Sequence, residues 1–450
     1  MMVAALSSIA LLALIACGCG NGKTLPSEAA TGEISPSLTL ITEGAFPKFS
    51  PDGGLIAFTL ERTDPSDPNG VAYDVCTIRP DGTGLTCLTR GKPALAGTRW
   101  RGQPFWHPSG DYIVFTAENA AYPRKGVGTT ARPGLGRNHD VWIMTSDGER
   151  FWRITEYPDN WGVIRPSFSR DGKVLYWNEE YSMEKYPQGL PDDPDDDTRA
   201  PGHQGHPGSY WGLESFRYRR GEELGAWRMR LADISFENGE PRISNLRSVE
   251  PPDGFTLIEG AGLTTSGDGL ICSCAYLEEN GGQGLWGDIC VWDMDGNIIQ
   301  RLTDTPFAHD ENPEYSPGGE RIVWNASRGD PGEGEELWIM DADGGSKVRL
   351  TYFGDPGHEE FDAEARQITE LSWSPDGKSV VFGHVSAPKR AGVRLHSVLY
   401  LLNMESSPTL PPHVMGKQSP RRLGTGITPP PPARDKDDRT RASCHAVPLG

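Results

Sequence analysis

Histidines and acidic residues supply the groups in this sequence that are best suited to metal chemistry. His203 and His206 have the spacing of a zinc-binding pair, and the run Pro191–Asp197 is rich in carboxylates of the kind that bind Ca²⁺. The run lacks the glycine and the closing glutamate of a calcium loop, and no third zinc ligand stands beside the histidines. The segment is therefore more typical of a solvated acidic loop than of a metal site.

His139, His309 and His358 form a second set of candidate ligands. An acidic pair follows each of the last two. Three imidazoles on one face of a protein can bind a transition metal. The sequence does not show whether these three converge, so we predict no cofactor and keep a divalent metal as the alternative.

Other signatures of catalysis are missing from the sequence. It contains no Gly-x-Ser-x-Gly nucleophile elbow, no Cys-x-x-Cys-His haem site and no glycine-rich phosphate loop. We therefore predict a binding module rather than an enzyme. The alternative is a metal-assisted hydrolase or lyase that acts on a saccharide or a similar polar substrate.

A short phrase that recurs six times determines the predicted fold. It consists of an aromatic residue, Ser-Pro-Asp-Gly or a variant of it, and then an apolar strand, as in Phe49–Gly53 and Trp373–Gly377. A second phrase runs from an acidic residue through a strand and an Asp-Gly turn to Leu-Thr, as in Asp288–Thr303. Asp-Gly between strands indicates a tight hairpin. The repeats predict an all-β fold of six four-stranded antiparallel blades.

These repeats resemble the propeller repeat of TolB over about residues 37–404, and the resemblance implies a six-bladed β-propeller. About twenty residues separate Cys17 from the first predicted strand, so the resemblance covers the propeller and not the N-terminal domain of TolB. We expect Ser37–Thr42 to complete the last blade and close the ring, because a free strand edge is a liability. The proline-rich residues 405–450 predict a disordered tail.

The long connections of the predicted blades all emerge on one face, which we call the loop face, and binding residues concentrate on such loops. The residues that enter each first strand should ring the mouth of the central channel. Four of them are polar and are predicted to bind a polar ligand: Gln103, Arg165, Asn312 and Glu370. The alternative is a ring that only holds channel water. We predict a protein, peptide or glycan as the partner.

Net charge and cysteine spacing limit the class of partner and the cellular compartment. The formal net charge of −19 argues against nucleic acid, whose phosphates need clustered lysine and arginine. Cys76 and Cys87 lie opposite each other across the Asp81-Gly82 turn, which predicts a disulfide and an oxidising compartment. Cys274 and Cys290 form a weaker second pair.

The N-terminus indicates export. The apolar run Val3–Ala16 is too short to span a bilayer and is typical of a signal-peptide core. Its end, Leu14-Ile15-Ala16-Cys17, resembles the bacterial lipobox, although no lysine or arginine precedes the run. The resemblance implies removal of residues 1–16 and lipidation of Cys17. Residues 17–36 are rich in glycine, serine, threonine and proline, which predicts a flexible tether. The resemblance also implies an outer-membrane lipoprotein facing the periplasm or the surface, which contacts the membrane only through its lipid. An ordinary cleaved leader is the alternative.

Replacing the predicted lipidation site tests the anchor. We expect Cys17→Ala to block processing or to release the protein from the membrane fraction, because a thioether-linked lipid needs the cysteine. Fractionation of cells and mass spectrometry of the mature N-terminus provide the measurement. A Cys17→Ala protein that fractionates with membranes as the wild type does would contradict the lipobox interpretation.

Overall fold

The computed structural model describes residues 37–404, with gaps at 68–69, 122–131, 159–160, 182–225, 252–254, 277–286, 306–307, 328–333 and 387–395. The leader, the tether, the acidic run, His203, His206 and the tail therefore lie outside the described residues. Within them the regular secondary structure is β-strand, apart from one short 3-10 helix at Pro93–Leu95. No helix in the described part of the chain is long and apolar enough to cross a membrane.

The strands form six antiparallel blades, each with strands a to d counted outward from the channel. Blade 1 holds β2 (Ala45–Phe49), β3 (Ile56–Thr63), β4 (Val71–Ile78) and β5 (Thr86–Cys87); blade 2 holds β6 (Thr98–Trp106), β7 (Tyr112–Asn119), β8 (His139–Thr145) and β9 (Phe151–Arg153). Blade 3 holds β10 (Val163–Phe168), β11 (Val174–Tyr181), β12 (Ala226–Glu237) and β13 (Glu240–Val249); blade 4 holds β14 (Phe255–Leu263), β15 (Gly269–Tyr276), β16 (Asp288–Asp293) and β17 (Ile298–Arg301). Blade 5 holds β18 (Asp310–Tyr315), β19 (Arg321–Ser327), β20 (Glu335–Asp341) and β21 (Val348–Arg349); blade 6 holds β22 (Ala365–Trp373), β23 (Ser379–Ser386), β24 (His396–Asn403) and β1 (Ser37–Glu43). The predicted all-β, six-bladed fold is confirmed.

The first strand of the described residues is the outer strand of blade 6. β1 pairs antiparallel with β24, from Ser37 opposite Asn403 to Glu43 opposite Val398. Just after it, β2 lies against β22, and the Phe46 amide donates to Thr369 Oγ1 at 3.3 Å. Both ends of the propeller thus meet at blade 6.

The Ser-Pro-Asp-Gly phrase forms the turn between strands a and b. Ser50 Oγ donates to Asp52 Oδ1 at 2.6 Å and accepts from the Leu55 amide at 2.9 Å. Gly53 adopts a φ of 74°, which glycine tolerates without strain. The serine hydroxyl holds the pKa of Asp52 below its ordinary value. The same contacts recur at Ser169–Asp171 and Ser374–Asp376, which explains the repetition of the phrase.

The second phrase places a buried carboxylate beneath each long d–a loop. In blade 4, Thr303 Oγ1 accepts from the Ile289 amide at 2.8 Å and donates to Asp288 Oδ1 at 3.2 Å. Asp288 also accepts from Arg301 at 2.9 Å and from the Thr305 amide at 3.1 Å. Equivalent pairs are Asp74–Thr89, Asp140–Thr155 and Glu336–Thr351. We call this arrangement the carboxylate–threonine contact.

Apolar side chains fill the spaces between neighbouring blades. Between blades 1 and 2, for example, Val75 and Leu88 pack against Ile113, Phe115 and Met144. Alternation along each strand sends these residues to the blade faces, so every blade is buried by its neighbours.

The cysteines follow the strand register. A disulfide joins Cys76 to Cys87, which lie opposite each other in β4 and β5. The second predicted pair, Cys274 and Cys290, is not bonded. The strand register sets Cys272, and not Cys274, opposite Cys290. Cys272, Cys274 and Cys290 are buried free thiols, and burial raises the pKa of Cys272 and Cys274.

Removing one hydroxyl tests the carboxylate–threonine contact. Thr303→Val keeps the side-chain shape but leaves Asp288 and the Ile289 amide each short of a partner. We expect the free energy of unfolding, measured in urea, to fall by about 1–3 kcal/mol. The control, Thr39→Val on the exposed edge of β1, should change it by less than about 0.5 kcal/mol. Equal effects of the two substitutions would contradict the structural role.

Deleting β1 tests whether it closes the ring. Loss of residues 37–43 exposes the edge of β24, and we expect a large drop in melting temperature together with aggregation. Truncation after residue 405 removes none of the described strands and should leave the melting temperature nearly unchanged. Equal damage from the two deletions would show that the closing strand lies elsewhere.

Candidate functional site

A backbone bulge at the same point of every strand a turns side chains toward the channel. The pairing of strand a with strand b shifts register there in all six blades. In four blades the bulged residue is not glycine, has a positive φ between 51° and 56°, and precedes a proline: Phe46, Gln103, Arg165 and Asn312. Proline suits this place because a bulge leaves one amide outside the ladder. Glu370 occupies the same position in blade 6 without proline. In blade 4 the equivalent residue is Gly260, and Gly262 lies after the shift, opposite Ile271.

The four polar residues predicted for the channel mouth lie in one hydrogen-bonded network. Gln103 Nε2 donates to Glu370 Oε1 at 2.9 Å, and Arg165 Nε lies 3.6 Å from the same oxygen. Arg165 also donates to Asn312 Oδ1. All four residues are buried. The residues predicted from their place at the entry to strand a therefore do converge, and they contact one another.

Lys48 and Glu314 extend the network, and sequence analysis did not identify them. Lys48 Nζ lies 2.8 Å from Glu314 Oε2 and 3.9 Å from Glu370 Oε2, and it donates to the Leu371 carbonyl at 2.6 Å. Both residues come two positions after a bulged residue, where the pairing with strand b resumes. That spacing is the signal that could have revealed them.

The network crosses the channel. Gln103 in blade 2 and Arg165 in blade 3 reach Glu370 in blade 6, while Lys48 in blade 1 reaches Glu314 in blade 5. Most of these contacts join blades that are not neighbours. Two cations face two anions, so the buried charges balance. At this depth side chains from opposite blades meet across the channel. We therefore expect the loop-face end of the channel to form a cup with this network as its charged floor.

The predicted histidines do not form one cluster. His309 lies with Glu311 and Glu335, and this is the only group of three or more potential metal ligands among the described residues. His139 begins β8 and is fully buried, and His358 stacks on Tyr352 with ring centroids 4.6 Å apart. Glu335 was not anticipated, because it starts a strand far from His309 in sequence.

Asp310 is a buried acid between His309 and Glu311 in the chain, but its side chain faces Trp324 and residues Thr303 and Thr305 of the preceding loop rather than this group. Burial raises its pKa to about 6, and the Trp324 indole donates to Oδ1 at 2.9 Å. A carboxyl group with such a pKa exchanges protons near neutral pH.

Aromatic side chains lie on the d–a loops of the loop face. Tyr157 and Trp161 stack with centroids 6.1 Å apart and rings inclined by 9°. In the d–a loop between blades 5 and 6, Arg349 lies over the Tyr352 ring and Phe361 is exposed. Aromatic rings with polar tips suit binding surfaces, because they supply contact area at little entropic cost.

Comparisons with known proteins concern the fold alone. No protein-family model and no curated protein sequence matches the chain. Among solved structures, TolB from Acinetobacter baumannii is 17% identical, with a TM-score of 0.40 over 78% of this chain and 64% of that one. A putative TolB from Agrobacterium tumefaciens is 15% identical, with a TM-score of 0.41 over 72% of this chain and 82% of that one. An oligogalacturonate lyase in complex with manganese is 12% identical, with a TM-score of 0.40 over 83% of this chain and 94% of that one. Two of these three are TolB proteins, whose propeller repeat this sequence resembles.

Proposed function

We propose that this chain is an exported, lipid-anchored β-propeller that binds a protein, peptide or glycan on its loop face. The observation that carries the proposal is the set of channel side chains that rise from strained bulges and meet across the ring. A residue other than glycine that adopts a positive φ destabilises the fold by about 1–2 kcal/mol, and such strained residues concentrate at ligand sites. Four repeats bear this cost at the same position.

The floor of the cup offers both signs of charge to a ligand. Arg165 provides a planar set of donors, Glu370 provides acceptor oxygens, and Gln103 and Asn312 provide neutral amides. A peptide or a hydroxyl-rich glycan matches this mixture of donors and acceptors. A ligand that reaches the floor must replace hydrogen bonds that these residues now make with one another, which costs free energy. The aromatic side chains on the loop face would offset that cost with apolar contacts.

The cell envelope is the proposed location. The signal-like leader and Cys17 support export and an outer-membrane lipid anchor, with the propeller facing the periplasm or the surface. The Cys76–Cys87 disulfide suits an oxidising compartment. The acidic net charge suits a basic or neutral partner and not nucleic acid.

One observation favours the alternative, a metal-assisted hydrolase or lyase acting on a saccharide. His309, Glu311 and Glu335 offer ligand atoms within 4.8 Å of one another, and a metal ion bound there would activate a water molecule or polarise a sugar oxygen. Release of products from oligosaccharides in the presence of Mn²⁺, abolished by EDTA, would establish this function. Binding of an intact ligand without turnover supports the binding module.

Substitutions at the channel floor and on the opposite face separate the two surfaces. Peptide and glycan arrays probed with the mature protein supply a ligand, which is then titrated against each variant. We expect Arg165→Ala to weaken binding about tenfold or more, because charge-assisted hydrogen bonds are worth about 1.5–3 kcal/mol. Arg165→Lys, which keeps the charge but loses the planar fork, should restore part of the affinity.

The matched control is Asp147→Ala, in an exposed turn on the opposite face. It should lower stability slightly and leave the affinity unchanged. Arg165→Ala also removes partners of Glu370, so melting curves are recorded and titrations are run well below both transitions. Loss of binding in Asp147→Ala with retention in Arg165→Ala would place the functional face on the other side.

A further inference from the structure

We infer that His309, Glu311 and Glu335 bind one divalent transition-metal ion, of the zinc or manganese class, at the loop face between blades 5 and 6. One potential ligand atom of each residue lies within 4.8 Å of the other two. An imidazole nitrogen with two carboxylate oxygens is a ligand set that these ions accept. The site does not depend on the proposed binding function.

Two buried polar atoms in this cluster point to a ligand. His309 Nε2 is buried without a hydrogen bond and lies 3.4 Å from Glu311 Oε2. Asn325 is fully buried, and its Oδ1 also makes no hydrogen bond, although its Nδ2 donates to both glutamates. Buried polar atoms without partners are costly and rare. A bound cation satisfies Nε2 directly.

Hydrogen bonds hold the two carboxylates in place. Asn325 Nδ2 donates to Glu311 Oε1 at 3.1 Å and to Glu335 Oε2 at 2.9 Å. From blade 6, the Ile368 amide donates to Glu335 Oε2 at 2.8 Å, and Gln367 Nε2 lies 3.4 Å from Glu311 Oε1. The oxygen of Glu311 that faces His309 is therefore the one these donors leave available. Orienting donors of this kind accompany metal-binding carboxylates.

The backbone around His309 is also fixed. Its amide donates to Ser327 Oγ at 2.8 Å, and the Ser327 amide donates back to the His309 carbonyl at 3.0 Å. The imidazole thus projects from a pinned segment at the entry to β18. The competing explanation is an ion pair between a protonated His309 and Glu311. An ion pair needs no metal, so the two explanations differ in whether the folded protein takes up a stoichiometric ion.

Metal titration of the mature chain decides between them. The protein is stripped with EDTA, dialysed, and titrated separately with Zn²⁺, Mn²⁺ and Ca²⁺ by calorimetry, with metal content measured after dialysis. We expect one Zn²⁺ or Mn²⁺ per chain and a rise in melting temperature with either ion. Ca²⁺ should bind about tenfold more weakly or worse, because it prefers oxygen ligands to imidazole. His309→Ala and Glu311→Gln should each abolish stoichiometric uptake.

Matched variants guard against other sites and against misfolding. His358→Ala removes an exposed histidine of the same face, and the double substitution His203→Ala and His206→Ala removes the other candidate pair; both proteins should retain the metal. His309→Gln keeps the size of the side chain should the alanine variant fail to fold. Absence of stoichiometric Zn²⁺ or Mn²⁺ in the wild type, or equal uptake by folded His309→Ala or His309→Gln, overturns the inference. Array ligands titrated in EDTA test the binding function separately.

Discussion

The carboxylate–threonine contact is the interaction on which the arrangement of this propeller depends. A carboxylate removed from water is costly unless it is hydrogen-bonded, and here it accepts from a threonine, an arginine and loop amides. In blade 5, Glu336 accepts from the Phe353 and Gly354 amides at 3.1 and 2.9 Å, as well as from Thr351. One side chain therefore ties strand c to strand d and holds the first residues of the loop that leads to the next blade. Because the contact recurs in four blades, it fixes where the long d–a loops leave the core and how each next strand a enters the channel.

Strand a adds a second constraint, since its bulge decides which side chains face the channel. In a regular strand, side chains alternate between its two sides. The bulge interrupts this alternation once, and Gln103, Arg165 and Asn312 point from it into the common network in the channel. The contacts formed there cross the ring, so they resist separation of blades that share no interface. The same side chains thus brace the fold and form the floor of the proposed binding cup. A substitution at Arg165 affects both properties, because removing one partner of a buried charge leaves the other uncompensated.

Sequence analysis identified the residues that recur in every repeat, and it missed residues whose partners lie far away in the sequence. The Ser-Pro-Asp-Gly and Leu-Thr phrases revealed six blades because each residue in them makes local contacts that every blade needs. Gln103, Arg165 and Asn312 were found for the same reason, because each repeat has a residue at the entry to its first strand. Lys48 escaped notice because its partners, Glu314 and Leu371, come from blades 5 and 6, and no local pattern records contacts across a ring. The histidine grouping failed similarly: His139 starts a buried strand, and the companion of His309 is Glu335, which the hairpin of blade 5 brings near.

The two candidate sites are adjacent in the chain as well as in space. Glu311 belongs to the inferred metal site, and the next residue, Asn312, accepts a hydrogen bond from Arg165 in the channel network. The bulge in β18 directs these consecutive side chains to different surroundings, one toward blade 6 and one toward the channel centre. A cation held by Glu311 would restrain the same backbone that positions Asn312, and a ligand at the channel floor would act on that backbone from the other side. Coupling between two sites needs a shared element that each of them constrains, and β18 is such an element.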